Sequence, residues 1–315
     1  IVQATLAGAF PGQLLAAEGF RPAGTFYGAN MCADYLVLAM FVALSLWGRT
    51  SRLLLLASGG LLLVGLLTTK SNGSLISLVV GGGATALLWS MRAEGSRTRR
   101  AGTLALFAAV AVLGWWAVSE MGLGAALGRG VGQGTMLGRM EKSSAGRQEI
   151  WGQLGTQLAR HPLGIGPGNS VLQSVAIGHR VRPGTSFQSK EAHSDYMAFA
   201  IERGPIGLLG HLLWVLAGIG LVLRGDGAVA PTALLADRGT FRDPARRASL
   251  LRAIFVGGLI ASAVHSVVIE KLHFRHYWMF LALSCAVTAG AKFRSPSSSP
   301  APVLRPAVAR AGGAR

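Results

Sequence analysis

The sequence predicts an all-α protein: a polytopic bundle of about seven transmembrane helices, with one large external loop that contains short helices. Composition is the first reason, since 51% of the 315 residues are hydrophobic, only 14% are charged, and the mean hydropathy is +0.46. Soluble domains carry about 25% charged residues. The other two reasons are that the apolar residues form blocks of membrane-spanning length and that basic residues concentrate between these blocks.

Seven apolar blocks define the predicted spans, because a helix needs about 20 mainly apolar residues to cross a bilayer. The blocks lie at 33–47, 53–69, 74–90, 101–118, 195–223, 250–268 and 276–291. Prolines and glycines interrupt residues 1–32, which are predicted to form a loop with an interfacial helix. The sequence begins at Ile1 and shows no cleavable signal pattern, which suggests a chain that has lost upstream spans.

Basic residues orient these spans. Seventeen lie in one set of connections and in the tail, and only four lie in the opposite short segments. By the positive-inside rule the first set is cytoplasmic and the second is external. The four external residues are Arg21, Lys70, Lys271 and Arg275.

This orientation divides the chain into four parts. Residues 1–118 are predicted to hold the N-terminal external segment and the first four spans, and residues 119–194 to form the large external loop, in which the candidates for catalysis lie. Residues 195–291 hold the last three spans, with a cytoplasmic loop at 224–249. Residues 292–315 are rich in Ser, Pro, Ala and Arg and are predicted to be a disordered cytoplasmic tail.

Charge and cysteine usage exclude several classes of protein. The net charge of +17 does not indicate nucleic-acid binding, because the arginines sit mainly between spans, where they act as topology signals. Cys32 and Cys285 are far apart and predict neither a disulfide framework nor a metal cluster. The predicted external segments contain no Asp-x-Asp pair or Glu/His cluster, so we expect no metal cofactor.

Arg147 is the first candidate for chemistry. It opens a predicted amphipathic helix at 147–160, on which Trp151 and Leu154 are spaced as neighbours on one face. A guanidinium at a helix N-terminus suits a phosphate, because its planar fork pairs with two oxygens and the helix end adds amide donors.

His193, Glu202 and Arg203 form the second group of candidates. His193 lies where the external loop becomes the fifth span, and the other two follow before Gly204-Pro205 interrupts the helix. Ionisable groups at membrane depth tend to face protein or a water-filled cavity. The structural alternatives are a helix-capping or interfacial histidine for His193, and an interfacial anchor or a local ion pair for Glu202 and Arg203.

The last external turn, at 270–276, is short and rich in donors that suit phosphate, and Arg275 is its candidate donor-site residue. Interfacial anchoring beside Tyr277 and Trp278 is the alternative interpretation. His211 and His265 lie inside spans and are predicted to be packed residues that form hydrogen bonds between helices.

Several short segments follow one another in an informative order. They are Gly146-Arg-x-x-x-Trp, Pro162-Leu-Gly-Ile-Gly, His193-Ser-Asp-Tyr-Met and Gly204-Pro-Ile-Gly, preceded by Arg21-Pro-Ala-Gly-Thr-Phe with Asn30 and by Leu67-Thr-Thr-Lys-Ser-Asn-Gly. This ordered set, which covers roughly residues 20–290, resembles the O-antigen ligase family, which includes related bacterial polysaccharide polymerases. The family usually carries arginine in a Thr-x-Ser-Arg segment. This chain has Asn72 there and Lys70 two residues earlier, and lysine lacks the bidentate fork.

The resemblance implies metal-independent, inverting glycosyl transfer on the external, periplasmic face of the bacterial inner membrane. The donor would be a glycan on an undecaprenyl pyrophosphate carrier. The acceptor would be lipid A–core in a ligase or another lipid-linked glycan in a polymerase, and the sequence does not separate the two.

The family mechanism maps onto two residues of this sequence. Arg147 would hold the pyrophosphate, and His193 would act as general base or stabilise the phosphate. The predicted substrate-binding residues are Arg21, Lys70, Glu202, Arg203 and Arg275. A transporter or flippase for an anionic lipid-linked substrate is the alternative, although the sequence shows neither repeated halves nor clear breaks at mid-membrane.

Overall fold

A computed structural model describes residues 26, 28–92, 151–152, 154–167, 169, 192–224, 244–272 and 274–289. All regular secondary structure in these ranges is helical, which confirms the predicted all-α class. The main helices are α1 (Ala29–Ser45), α2 (Arg52–Thr68), α3 (Asn72–Arg92), α4 (Asp195–Arg224), α5 (Pro244–His265) and α6 (Arg275–Ala289).

Six of the seven predicted apolar blocks coincide with these helices, and the block at 101–118 lies outside the described residues. Three helical stretches are long and apolar enough to cross a membrane, at Asn72–Met91, Asp195–Arg224 and Arg246–His265. Helices α1 and α2 are apolar but have 17 residues each, and α6 has 15. The membrane character of the chain is therefore confirmed, whereas the count of seven spans stays a prediction.

The boundaries of α5 differ from the predicted block at 250–268. The helix begins earlier, at Pro244, because proline has no N–H to lose at the first helical position and its fixed φ suits the helix. It ends earlier, at His265, where a turn closed by Val268 N–H and the His265 carbonyl begins. The residues that follow form the turn between α5 and α6 rather than a continuation of the span.

Helix α5 is the centre of the bundle and packs against α1, α3, α4 and α6. Its surroundings explain why residues 253–261 are apolar on every side, because a helix that is apolar all round is one that other helices enclose. The core around it includes the buried rings of Phe41 from α1, Phe255 from α5 and Phe280 from α6.

Glycine lets α3 and α5 approach each other closely. A Cβ atom on either Gly81 or Gly257 would lie 2.5 Å from the carbonyl oxygen of the other residue. In lipid, where apolar side chains gain little by leaving the solvent, such close backbone packing is a main source of helix association.

Polar contacts gather at one end of the bundle, here called the polar end. It contains the starts of α1, α3, α4 and α6, the ends of α2 and α5, and the turns that join them. This grouping agrees with the alternation of spans predicted from the basic residues, in which all these termini are external. Which side of a membrane the polar end occupies stays a prediction.

The predicted external loop is described only in part. Residues 151–152 and 154–160 are helical and form what we call the loop helix, within the amphipathic helix predicted at 147–160. Residues 225–243 of the predicted cytoplasmic loop at 224–249 lie outside the described residues, as does the whole predicted tail at 292–315.

Candidate functional site at the polar end

Asp34 is the centre of a buried polar cluster. Its carboxylate is 1% exposed, although it belongs to the apolar helix α1. One oxygen, Oδ1, accepts hydrogen bonds from His265 Nδ1 at 2.7 Å and Lys271 Nζ at 3.3 Å. The other, Oδ2, accepts from His276 Nε2 at 3.0 Å. One carboxylate thus joins α1, α5, α6 and the turn between α5 and α6.

Lys271 supplies the matching positive charge from that turn. Its Nζ donates to two acceptors, Asp34 Oδ1 at 3.3 Å and Ser262 Oγ at 2.6 Å. It further lies 5.3 Å from the centre of the Tyr277 ring. Burial lowers the pKa of the Lys271 ammonium, and the charges of Asp34 and Asp195 oppose this shift without cancelling it.

A chain of hydroxyl groups leads from the cluster to Lys70. Ser74 Oγ lies 3.0 Å from His265 Nε2 and 3.0 Å from Ser71 Oγ, and all these groups are buried. The N–H of Ser71 donates to Thr69 Oγ1 at 3.3 Å. The turn between α2 and α3, which carries Lys70, is therefore attached to the Asp34 cluster.

The start of α4 is attached to the same cluster through Asp195. Its Oδ1 accepts hydrogen bonds from the N–H groups of Lys271 at 3.0 Å and Leu272 at 3.4 Å. Its own N–H donates to the Ser266 carbonyl at 3.0 Å. The segment that begins with His193 is thus bonded directly to the turn between α5 and α6.

Lys70 and His193 share an uncommon backbone conformation. They are the non-glycine residues with positive φ in the described ranges, with φ of 55° and 52°. Side chains disfavour this region, and residues held in it concentrate at functional sites. Both residues are partly exposed, both were predicted as site residues, and both lie next to groups of the buried cluster.

The loop helix packs against α4 beside His193. Trp151 Nε1 donates to the Ala192 carbonyl at 2.9 Å, and the buried side chain of Leu154 packs with Ala198 and Ile201. Arg147 lies outside the described residues. The helix that it is predicted to open is nevertheless next to the residue that precedes His193.

The segment at 161–166 fills a gap in the hydrogen bonds of α4. This helix is kinked at Gly204, whose φ is 66° and ψ −172°, and Pro205 has no N–H to donate. In a regular helix the N–H of residue 205 would donate to the Ile201 carbonyl, but proline has none. That carbonyl accepts instead from Ile165 N–H at 2.9 Å. The Glu202 carbonyl accepts from Gly166 N–H at 3.0 Å. Two motifs that are distant in the sequence thus complete each other.

Glycine is required on both sides of this contact. A Cβ on Gly164 would lie 2.5 Å from the Glu202 carbonyl oxygen, and one on Gly204 would lie 2.7 Å from the Pro162 carbonyl oxygen. Both glycines also have positive φ. The spacing of Pro-Leu-Gly-Ile-Gly and Arg-Gly-Pro-Ile-Gly therefore has a structural reason, which is backbone docking.

Glu202 and Arg203 lie at the edge of this contact and form a local ion pair, with Arg203 Nη1 3.5 Å from Glu202 Oε2. The Arg203 guanidinium also lies 4.4 Å from the centre of the Phe199 ring. The structural alternative for this pair is therefore observed, and a role in substrate binding stays a prediction.

The remaining predicted site residues are separate from the buried cluster or outside the described ranges. Arg275 begins α6 with an exposed side chain, and Arg21 lies outside the described residues. In the turn at 270–276, Lys271 and His276 are bonded to Asp34, so interfacial anchoring does not describe Lys271, which is 1% exposed.

The sequence interpretation missed Asp34, Lys271 and His276 as one unit. The available signal was an aspartate inside an apolar helix, since an ionisable group at membrane depth needs a partner. The prediction of a hydrogen-bonding role for His265 is confirmed. His211 instead stacks on the Phe199 ring at 4.4 Å, and its buried Nε2 has no hydrogen-bond partner among the described residues.

In the part of the chain that the structure describes, no group of three or more His, Cys, Asp or Glu residues is placed to hold a metal ion. In the Asp34 cluster the Lys271 ammonium lies 3.3 Å from the carboxylate.

Comparison with known proteins identifies the family. The sequence model of the O-antigen ligase family matches residues 53–212, just over half of the chain, from α2 to within α4. The match includes Lys70, the loop helix, the segment at 161–166 and His193. No curated protein shows significant similarity to the sequence. The family match and the order of the motifs agree, and the chain belongs to the O-antigen ligase family.

Proposed function

We propose that this protein transfers a glycan from an undecaprenyl pyrophosphate carrier to lipid A–core or to another lipid-linked glycan. We place the reaction on the external, periplasmic face of the bacterial inner membrane. Membership of the O-antigen ligase family supports a membrane glycosyltransferase of the ligase or polymerase type. The donor, the acceptor and the face of the membrane are parts of the proposal.

One observation carries this proposal: three separate motifs of the chain meet beside His193. Trp151 of the loop helix bonds to Ala192, and the segment at 161–166 bonds to Ile201 and Glu202 of α4. Ile165 of that segment also packs against the cluster that contains Ala192. The first contact needs the indole N–H of Trp151, and the second needs glycine at positions 164 and 204. A strained, partly exposed histidine at such a junction is a strong candidate for the reacting centre.

His193 suits proton transfer from the acceptor. An imidazole titrates near pH 6.5, so it can accept the proton of an acceptor hydroxyl at neutral pH. The acceptor oxygen then bonds to the anomeric carbon as the bond from that carbon to the pyrophosphate oxygen breaks, which inverts the anomeric centre. The carrier leaves as the lipid pyrophosphate.

Cationic side chains would stabilise the charge on that leaving group. Arg147 is the proposed pyrophosphate ligand, because a guanidinium binds two phosphate oxygens at once. Lys70, in its left-handed turn, and the exposed Arg203 and Arg275 are further cations of the same kind. We propose that these residues make a divalent metal unnecessary, with Arg21 and Glu202 completing the substrate-binding set.

A transporter of anionic lipid-linked substrates is the second candidate, and the kink in α4 is the observation that favours it. Transporters often bind their substrates at broken helices near mid-membrane. Here the break follows only the first turns of a 30-residue helix, and the amides of Ile165 and Gly166 occupy the freed carbonyls. These features favour transfer over transport.

The proposal is tested by glycan transfer with purified full-length protein in detergent, given a lipid-pyrophosphate-linked donor and each acceptor type in turn. His193→Ala and Arg147→Ala are expected to abolish transfer, and EDTA is expected to have no effect. His161→Ala and Arg160→Ala are the matched controls, since both side chains are exposed near the same junction, and they should transfer normally.

Undiminished transfer by His193→Ala or Arg147→Ala would remove that residue from the mechanism. Loss of transfer in EDTA, restored by added Mg²⁺, would contradict the metal-independent reaction. If the wild type transfers to neither acceptor but moves a labelled donor across the bilayer of proteoliposomes, the transporter is the correct function.

A further inference from the structure

Lys271 is bonded to two different parts of the polar end, one through its side chain and one through its backbone. The ammonium lies among Asp34 and Ser262, and the N–H is bonded to Asp195. From this arrangement we propose that Lys271 is a positioning residue for glycosyl transfer. It fixes the turn between α5 and α6, and through Asp195 that turn holds His193 in its strained conformation. The inference rests on the proposed function of His193.

The side-chain half of this link fixes the turn in the bundle. Lys271 Nζ reaches acceptors on α1 and α5, at 3.3 Å from Asp34 and 2.6 Å from Ser262. His276, just beyond the turn, binds the other oxygen of Asp34 at 3.0 Å. The turn is therefore held on both sides by one buried carboxylate, and its position depends on that carboxylate being present.

The backbone half of the link passes from the turn to the start of α4. The N–H groups of Lys271 and Leu272 converge on Asp195 Oδ1, while Asp195 N–H binds the Ser266 carbonyl at the beginning of the turn. These three bonds fix the backbone only two residues after His193. On the other side of His193, Trp151 fixes the Ala192 carbonyl. The left-handed backbone of His193 is thus held between two anchored neighbours.

A second branch of the cluster reaches Lys70. His265 binds Asp34 through Nδ1 and Ser74 through Nε2, and Ser74 continues to Ser71, the neighbour of Lys70. The two non-glycine residues with positive φ in the described ranges are therefore attached to one carboxylate. Both are predicted to contact substrate, so a rigid connection between them would fix the distance between two points of contact.

Burial separates this role from catalysis. Lys271 and Asp34 are each 1% exposed, so neither side chain can touch a glycan or a pyrophosphate. A charge pair at such depth is costly to form, and removing one partner leaves the other charge uncompensated. Removing both charges relieves that penalty, which provides a way to separate folding from positioning.

The test compares Lys271→Met, Asp34→Asn and the double variant with wild type in the full-length purified protein. The readouts are the apparent melting temperature, kcat for glycan transfer and KM for a lipid-pyrophosphate-linked donor. Ser90→Ala is the control, since it removes a partly buried hydrogen bond of a buried serine within α3, at the opposite end of the bundle. We expect each single variant to melt at a lower temperature and the double variant to recover most of that loss.

The decisive quantity is kcat in the double variant. We expect it to stay about 10- to 100-fold below wild type, because small displacements of a reacting group cost rates of this order, while KM for the donor changes little. If kcat recovers together with the melting temperature, the pair only stabilises the fold and the inference is wrong.

Asp195 gives an independent test should the Lys271 and Asp34 variants fail to fold. Asp195→Asn keeps an oxygen that accepts from both N–H groups, whereas Asp195→Ala does not. We expect Asp195→Asn to keep most of the transfer activity and Asp195→Ala to lose about 10-fold or more in kcat. Equal activity of the two variants, whether high or low, would contradict positioning through these hydrogen bonds.

Failure of the inference can be told from failure of the proposed function. Normal transfer by His193→Ala would overturn the proposed role of His193 and the inference with it. An inactive His193→Ala beside a fully active Asp195→Ala would overturn the inference alone.

Discussion

The interior of the bundle and its polar end are held together by different interactions. In the interior, α3 and α5 touch through glycine, and the rings of Phe41, Phe255 and Phe280 fill the surrounding space. At the polar end, a buried carboxylate binds an ammonium and two imidazoles. The interior resembles the packing expected of any helical membrane protein, whereas the polar end carries groups that a bilayer strongly disfavours.

This difference indicates where function constrains the chain. Close packing stabilises the bundle without any buried charge, so stability alone gives no reason for a buried ion pair, which apolar residues often replace at no cost. The two strained site candidates, Lys70 and His193, are both attached to the polar end. We infer that the interior determines stability and that the polar end determines both stability and activity.

The largest expected effect comes from removing the centre of the polar end. Asp34→Ala leaves the Lys271 ammonium buried without its carboxylate, and we expect a loss of about 3–5 kcal/mol in unfolding free energy. Denaturant unfolding of the purified protein measures it. A loss no larger than that of the control Ser90→Ala would show that the cluster contributes little to stability.

The next effect tests the interior. Gly257→Leu forces a side chain into the contact with Gly81 and Thr85, and we expect it to cost about 3 kcal/mol by overpacking. Transfer per folded molecule should nevertheless be normal. Gly60→Leu on α2, where a Cβ would meet nothing within 4 Å, is the control and should be close to neutral. Loss of specific activity in folded Gly257→Leu would remove the distinction between the two regions.

A smaller effect is expected where the loop segment docks on α4. Gly204→Ala places a Cβ against the Pro162 carbonyl at a φ that suits only glycine, which we expect to cost about 2 kcal/mol. Transfer should fall as well, because Ile165 of the displaced segment packs against the cluster that contains Ala192, the residue before His193. Gly210→Ala on the same helix, with open space at the Cβ, is the matched control. Equal stability and equal transfer in Gly204→Ala and Gly210→Ala would show that the docking contributes to neither.

The smallest effect concerns one hydrogen bond. Trp151→Phe keeps an aromatic ring but removes the N–H donated to the Ala192 carbonyl, and we expect a loss of about 1 kcal/mol in stability. We also expect a modest fall in kcat, because one anchor of His193 is loosened. Trp89→Phe, on an exposed part of α3, should change neither quantity. A normal kcat in Trp151→Phe would show that this bond does not position His193.

The sequence predicted the helices better than the contacts between them. Apolar blocks located six of the described helices, and Gly204-Pro205 located the kink in α4, because both signals are local. Alternating basic segments also predicted that the starts of α1, α3, α4 and α6 lie at one end. These predictions depend on composition and on backbone chemistry over a few residues.

The Asp34 cluster could not be predicted in the same way. Its members come from α1, α3, α5, α6 and a turn, and which of them meet depends on how the helices pack. Lys271 was interpreted as a topology signal because a lysine in a short loop usually faces water, whereas here it is buried. The positive φ of Lys70 and His193 likewise follows from tertiary contacts that the local sequence does not specify.

The most direct test of the central claim is the transfer rate per folded molecule of His193→Ala, measured beside His161→Ala with a lipid-pyrophosphate-linked donor. The account predicts that transfer is lost in His193→Ala and is close to wild type in His161→Ala, although both variants remove an imidazole near the same junction. Normal transfer by folded His193→Ala would contradict the claim that the polar end is the site of glycosyl transfer through this histidine.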